Sequence, residues 1–472
     1  MMTHWASDET KTANFGDKRL NQRMETLLKQ LGDKPFESIP TACGGWAETL
    51  AAYRFFDNEK VTDNQVLQSH IHASIERISC YPVVLLAQDT TDLIHTITKG
   101  PLGLGTLKET EKREIFLHPT IAITPHRLCL GVVGADIWQR LEKSPKKERL
   151  RLPINEKESV HWLEGYHRAC EISGIIPETL IVNLADREGD IYEWFLETEE
   201  YSPDTRAQWI IRAAQDRLLD TRDKETRKIW NKLEKKPILG TVKFTLPASG
   251  NRKTRDVEQT VRAARVVIKA PYRPGYKFKN VEVNAVLARE ENPPLGIEPI
   301  EWLLLSSLPI ESFEQAATVL EWYTCRWEIE IFFRVLKSGC QVEKLQLESI
   351  DRLEPCLALY LIIAWRTLFV TMFGRIYPDF DCEFIFTKDE WQAVHLVLNQ
   401  TTLPTSPPTL GEFIRMIARL GGHLGRKHDG APGPQSIWIG LQRMRDFVRV
   451  LDAIKNTQNT PYIPSQNPSI FV

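Results

Sequence analysis

Apolar positions recur along this chain with two periods, and the places where the period changes mark its elements. The first sixty residues follow helical spacing. Leu20, Met24, Leu27, Leu28 and Leu31 line one face of a helix predicted over residues 18–31, with Asp17 as its N-cap. A second helix is predicted over 47–57, after the Gly44-Gly45 break, and a third over 61–79. Compact apolar runs follow. They predict strands at 81–88, 116–124 and 128–137, the last two joined by a Pro125-His126-Arg127 turn. A helix at 155–173, a buried-type strand at 179–184, a helix at 191–197 and a strand at 208–212 complete an α/β pattern. Alternating strands are then expected at 239–246, 257–269, 281–288 and 302–305, reading as a β-rich insertion. After residue 356 the spacing is helical again, over 356–373, 388–398, 410–420 and 437–454. The Asn- and Pro-rich tail from 456 carries no periodic pattern and is expected to be poorly ordered.

One further helix, predicted over 312–337, organises the rest. Tyr323, Arg326, Glu330 and Lys337 are spaced by three, four and seven residues. At about 100° per residue they fall within an arc of roughly 60°. An apolar stripe of Leu320, Trp327, Ile331 and Val335 runs beside them and is expected to anchor the helix in a core. Taken alone, the polar stripe is equally an exposed face carrying an i,i+4 salt bridge between Arg326 and Glu330.

Composition narrows the class. A chain of 472 residues is long enough for two to four domains. Residues 1–8 lack a basic start followed by an apolar run, so no secretory signal is expected. The longest apolar run, 356–365, is too short to span a bilayer, and no membrane association is expected. Eight cysteines without a CxxC indicate neither a zinc site nor a disulfide framework, and a reducing cytoplasm is the expected location. The formal charge of -2 argues weakly against a nucleic-acid partner, but the average hides a patch. Residues 212–279 hold 19 Lys and Arg against 7 Asp and Glu. Lysines and arginines also crowd 140–151 and the glycine-rich stretch 421–430, which lacks the ending of a P-loop. Lys18, Arg19 and Arg23 sit at a helix N-terminus, where cations oppose the macrodipole. An external anion such as a DNA phosphate would relieve that conflict; a solvated face is the alternative.

Two of the predicted core strands end in aspartates, in Gln88-Asp89-Thr90-Thr91 and Ala185-Asp186-Arg187-Glu188. With Glu330 they describe a divalent-metal site. Mg2+ takes oxygen ligands and keeps several waters, so two or three carboxylates with a substrate phosphate suffice. Singly, each aspartate is equally a turn cap. Around such a site Arg326 and Lys337 could hold phosphates, Tyr323 could donate to a phosphate oxygen, and Arg212 could add a further contact. Trp302 reads as core packing, or as a base-stacking residue if it borders a DNA groove. His118 and His161 read as structural or phosphate-binding.

The Tyr323, Arg326, Glu330, Lys337 spacing resembles the Y-(2)-R-(3)-E-(6)-K motif of the insertion-sequence-four family of DDE transposases, the Tn-five-like group. The resemblance takes in both aspartate motifs, Phe15-Gly16-Asp17-Lys18-Arg19-Leu20, Ala52-Tyr53-Arg54-Phe55 and Ile417-Ala418-Arg419-Leu420-Gly421-Gly422, and so nearly the whole chain. It implies an RNase H-like mixed sheet with a β-strand insertion, flanked by an all-α N-terminal DNA-binding domain and an all-α C-terminal dimerisation domain. The corresponding bounds are 1–62, 63–375 with the insertion at about 214–310, and 376–472. It implies that Asp89, Asp186 and Glu330 hold Mg2+, two ions per site with Mn2+ as a substitute, and that no organic cofactor is needed. Tyr323, Arg326, Lys337 and Arg212 would touch DNA near the cleaved phosphate, Trp302 would stack near a flipped base, and Lys18, Arg19 and Arg23 would read the transposon end. His161 stands where relatives often carry Lys or Arg. The expected activity is cut-and-paste transposition by a homodimer, through a hairpin. A catalytically inactive DNA-binding or inhibitory descendant of the family is the first rival. An acid/base hydrolase using Asp89 and Asp186 on a small substrate is the second, and it leaves the basic insertion unexplained.

Overall fold

Ten strands among the described residues form one sheet: β1 (Val83–Gln88), β2 (Thr91–Lys99), β3 (Glu109–Ile123), β4 (Cys129–Gln139), β5 (Leu180–Ala185), β6 (Gln208–Arg212), β7 (Gly240–Leu246), β8 (Arg255–Ile268), β9 (Val281–Glu290) and β10 (Glu301–Ser306). The computed structural model describes residues 4–99, 109–140, 152–246, 254–273, 275, 277–426 and 429–459. The basic stretch at 141–151, Lys427 and His428 of the glycine-rich stretch, and the tail at 460–472 lie outside them.

The order β4-β3-β1-β5-β6, with β4, β3 and β1 antiparallel and β1, β5 and β6 parallel, is that of an RNase H-like sheet. Helices cover both faces, and the strands sort their side chains with period two. Val84, Leu86, Ile181, Trp209 and Ile211 point into one core; Leu85, Val182, Leu184 and Ile210 point into the other. Burial on both faces is why β1 and β5 read as unbroken apolar runs. The insertion is less separate than its pattern implies. β10 pairs with β6, and β9, β8 and β7 follow outward, so it extends the same sheet.

Two departures from the sequence expectations bear on the site. β2 was not anticipated: the chain continues past Asp89 along the same edge of β3, with Gln88 opposite Thr120 and Thr91 opposite Leu117. Asp89 and Thr90 lie in the gap, beside Pro119, which has no amide hydrogen to give. The helix expected over 312–337 is broken. Helix Phe313–Thr324, opened by a Ser312/Gln315 capping box, tightens into a 3-10 turn at Cys325–Trp327. It resumes as Glu328–Arg334 and widens into a π turn at Val335–Gly339. Of the expected apolar stripe Leu320 and Val335 are buried and Ile331 packs partly against the core, but Trp327 is 38% exposed; Ile329, Phe332, Phe333 and Leu336 complete the buried face.

Helices Trp5–Glu9, Lys18–Asp33, Ile39–Cys43, Trp46–Phe56 and Asp63–Ile78 precede the sheet. Helix Ile350–Ile376 is long and apolar enough to cross a membrane by length and composition, but 89% of its apolar window is buried inside the protein. A helix apolar all round is the expected centre of a packed helical layer. Helices Lys388–Asn399, Leu410–Leu420 and Pro434–Asn459 follow it. The last runs through 456–459, which the sequence pattern assigns to the tail.

Candidate active site

β1 and β5 pair in parallel with Ala87 opposite Leu184, so Asp89 and Asp186 stand opposite each other two residues beyond. Neighbouring strands run about 4.8 Å apart, which brings the two carboxylates to one sheet edge. Each carboxylate also caps its own turn. Asp89 Oδ1 accepts from the Thr90 N–H (2.8 Å), and Asp186 Oδ1 from the Glu188 N–H (2.7 Å).

A buried polar network lies directly beneath. Gln88 Oε1 accepts from His118 Nε2 (2.9 Å), and Gln88 Nε2 donates to Asn183 Oδ1 (2.7 Å) and the Trp162 carbonyl (3.2 Å). Thr90 Oγ1 meets His118 Nδ1 at 2.8 Å. Burial lowers the His118 pKa to about 3, and with both ring nitrogens engaged the neutral imidazole braces the network. Gly165 makes room, since a Cβ there would lie 1.9 Å from Gln88 Oε1. The sequence reading takes Gln88 only as part of its motif and passes over Asn183; the available signal was a polar residue closing one apolar run and inside the other.

Glu330 reaches this edge from the second half of the broken helix. Arg326 joins the set: Nη1 donates to Asp89 Oδ2 (2.9 Å) and Nη2 to Glu330 Oε1 (2.8 Å). The Arg326 side chain is 9% exposed and that of Glu330 54%. The i,i+4 pair therefore exists, but as one arm of a bridge to Asp89. Burial, with the neighbouring Asp186 and Glu330 carboxylates against the pull of Arg326, pushes Asp89 up to about 7. A divalent cation would reverse that cost, and the donors are all hard carboxylate oxygens, the donor chemistry that Mg2+ and Mn2+ take, although Arg326 stands between Asp89 and Glu330 in this arrangement.

Tyr323 and Arg212 stand behind Arg326. Tyr323 is buried, and burial raises its pKa. Arg212 Nη2 donates to the Glu301 carbonyl (3.3 Å), and burial, partly offset by Tyr323, lowers the Arg212 pKa. Trp302 lies in the core, 8% exposed, stacked on Phe244 (5.9 Å) and edge-on to Tyr323 (6.2 Å) and Trp327 (5.8 Å). Trp327 is the member of this aromatic group that faces outward. Lys337 sits on the π turn with Nζ 3.5 Å from Asp92 Oδ1. Asp89, Asp186, Glu330, Arg326, Tyr323 and Arg212 thus converge, with Trp302 behind them and Lys337 at the rim.

Lys18, Arg19 and Arg23 lie on the N-terminal helices. Asp17, the N-cap, pairs with Arg19 (2.8 Å), and Glu48 pairs with Arg23 (2.5 Å), so the chain supplies part of the missing anion itself. The basic insertion is likewise tempered. Arg217, Arg255, Arg262, Arg265, Arg273 and Lys279 pair with Asp190, Glu290, Glu291, Glu282, Glu193 and Glu199, all outside residues 212–279. Asp136, His161 and Glu164 present ligand atoms within 4.8 Å of one another. Arg168 already pairs with Asp136, and burial of His161 is outweighed by the two carboxylates, which raise its pKa.

Comparison with known proteins gives three family matches along the chain. Residues 2–61 match the family described as Transposase DNA-binding, 194–365 the Transposase DDE domain, and 362–460 the Transposase Tn5 dimerisation domain. The DDE match contains Glu330 and begins after Asp186. A piggyBac transposase in a synaptic complex with hairpin DNA, solved by cryo-EM, aligns over 98% of this chain and 76% of its own at 8% identity, with a TM-score of 0.32. That similarity is too loose to carry argument. The three family matches, in this order along one chain, are the architecture of the Tn5-like insertion-sequence-four transposases, and this protein belongs to those metal-dependent DNA transposases.

Proposed function

We propose that this transposase works by cut and paste, as a dimer on paired transposon ends, cleaving DNA and joining the freed 3′-hydroxyls to target DNA. The observation that carries the reading is the pairing of Asp89 with Asp186 across parallel strands, with Arg326 linking Asp89 to Glu330. These three carboxylates would hold two Mg2+ ions. When bound, the ions supply the charge that activates the attacking oxygen and stabilises the leaving one. Arg326, its carboxylates so engaged, turns its fork to a DNA phosphate, with Tyr323 and Arg212 orienting it from behind and Lys337 adding a charge at the rim. Trp302 backs this group, and a stacking role would require its ring to leave the aromatic core.

Four in-line displacements at phosphorus follow. Water cuts one strand and leaves a 3′-hydroxyl; that hydroxyl attacks the opposite strand to form a hairpin; a second water opens the hairpin; the 3′-hydroxyl then attacks target DNA. Arg19 and Arg23 exchange their carboxylate partners for phosphates of the transposon end, with Lys18 adding a charge beside them, which makes end binding salt-sensitive. The test is a gel assay with the inverted-repeat ends that flank the gene. Glu330→Gln should keep end binding and lose Mg2+-dependent cleavage. Normal cleavage by the variant refutes the triad, and absence of cleavage by the wild-type chain refutes the activity.

A further inference from the structure

We propose that Arg127, far from the motif residues in sequence, is a positioning residue that aims Glu330 and so sets the divalent-cation affinity of the site. The inference rests on the metal-holding role proposed for Glu330.

Arg127 occupies the turn between β3 and β4 with φ 68°, a left-handed conformation that non-glycine residues seldom adopt. Strain of this kind persists where surrounding contacts hold it. Here the contacts run to the break in the glutamate helix. Arg127 Nη1 donates to the Thr324 carbonyl (3.2 Å) and to Glu328 Oε1 (3.1 Å), and Nη2 donates to Thr324 Oγ1 (2.8 Å). In the same turn the Pro125 carbonyl accepts from Cys325 Sγ (3.5 Å).

The Thr324 carbonyl is the one that, in an uninterrupted α-helix, accepts the Glu328 N–H. That N–H instead turns to the Cys325 and Arg326 carbonyls within the 3-10 turn. The guanidinium thus takes over the acceptor that continuous helix would need, and its second bond fixes Glu328, the first residue after the break. The segment from Phe313 to Arg334 contains neither proline nor glycine; its local perturbation is the Thr324 hydroxyl, which donates to the Glu321 carbonyl (2.7 Å) and is itself held by Arg127 Nη2. Three residues at 120° instead of 100° rotate everything beyond them by about 60°. At a side-chain radius of about 5 Å, this moves a carboxylate by roughly 5 Å, whereas metal–oxygen ligation tolerates only tenths of an ångström. Without the clamp, Glu330 turns away from Asp89 and Asp186.

The test uses the purified full chain and Mn2+ as the probe, with binding read as loss of the free-ion electron paramagnetic resonance signal. Arg127→Asn keeps a residue that accepts positive φ and removes the fork. It should weaken Mn2+ binding about tenfold, the usual scale for a residue supporting a metal ligand. The half-saturating Mg2+ for cleavage should rise equally, with end binding within about twofold of wild type. Thr324→Val, which removes one of the three acceptors, should shift both metal readouts the same way by a smaller factor; it decides the matter if Arg127→Asn does not fold. Unchanged Mn2+ affinity in a folded variant overturns the proposal. If Glu330→Gln itself leaves Mn2+ binding unchanged, the metal role of Glu330 falls, and the positioning role with it.

Discussion

Replacing Glu9 by Gln should loosen the N-terminal helices from the catalytic sheet, by an amount the structure lets one work out. The Glu9 side chain is 4% exposed and meets two donors at once. His70 Nδ1 lies 2.5 Å from Oε2, and Arg77 Nη1 donates to Oε1 (2.8 Å). The Val132 N–H donates to His70 Nε2 (3.0 Å), which assigns the proton of a neutral ring to Nδ1. Arg77 also donates to the Leu130 carbonyl (2.6 Å) and lies 4.3 Å over the Trp365 ring. One carboxylate therefore ties helix Trp5–Glu9 to helix Asp63–Ile78, to β4 and, through Arg77, to helix Ile350–Ile376. Burial alone would raise the Glu9 pKa, but His70 and Arg77 outweigh it and hold the group down at about 2. With the His70 ring neutral, the charge of Arg77 and the hydrogen bonds to Glu9 supply the stabilisation, about 1.5–3 kcal/mol for a buried charge-assisted pair at neutral pH. Because the folded pKa is depressed, this stability is complete above about pH 4.5 and is lost as pH falls toward 2. Gln keeps the shape, removes the charge and leaves Arg77 without its anion. In amide exchange, helix Trp5–Glu9 should open about ten- to a hundredfold more readily at pH 7 in Glu9→Gln. The difference from wild type should shrink as the pH is taken below 4.5. A variant that exchanges like wild type at pH 7, or a difference constant across that acid range, refutes the reasoning.

Two further substitutions test the ground beneath the metal site. Asp89→Asn removes a buried charge that Asp186 and Glu330 oppose, so without divalent metal it should melt at or above the wild-type temperature at pH 8. Added Mg2+ should raise the melting temperature of wild type but not of the variant, and an equal Mg2+ response in both would contradict the role of Asp89. Gly165→Ala drives a methyl against Gln88, 1.9 Å from Oε1, and should cost about 1–3 kcal/mol in a denaturant titration. Its cleavage should fall more than its end binding, because Gln88 carries Asp89 on the next residue. Parallel losses would mean that the network only supports the fold.

What was legible in the sequence, and what was not, divides along the range of the interactions involved. Asp89 and Asp186 could be placed beside each other because strands buried on both faces read as apolar runs, and a run that stops at an aspartate shows where the strand ends. The spacing of Tyr323, Arg326, Glu330 and Lys337 was legible as local periodicity, although the helix carrying it is not continuous. Its break is imposed across 197 residues by Arg127, and neither segment signals it: the helix contains neither proline nor glycine, and the turn holding Arg127 resembles any hairpin. β2 was obscured because its partner is the charged first half of β3, where pairing does not follow from an apolar pattern. The basic insertion was overread for a related reason. A count taken along the chain cannot register that Glu290 faces Arg255 or that Glu193 faces Arg273. Trp302 shows the same limit in a single residue. One strand pattern serves a core tryptophan and a base-stacking one, and only the neighbours contributed by Phe244, Tyr323 and Trp327 distinguish them. Local pattern thus singled out residues that the fold brings together, while their orientation depends on contacts between segments far apart in sequence. Arg127 and Gly165 therefore test the site more sharply than another carboxylate deletion: neither carries a charge in the triad, yet the geometry of Glu330 and Asp89 depends on them.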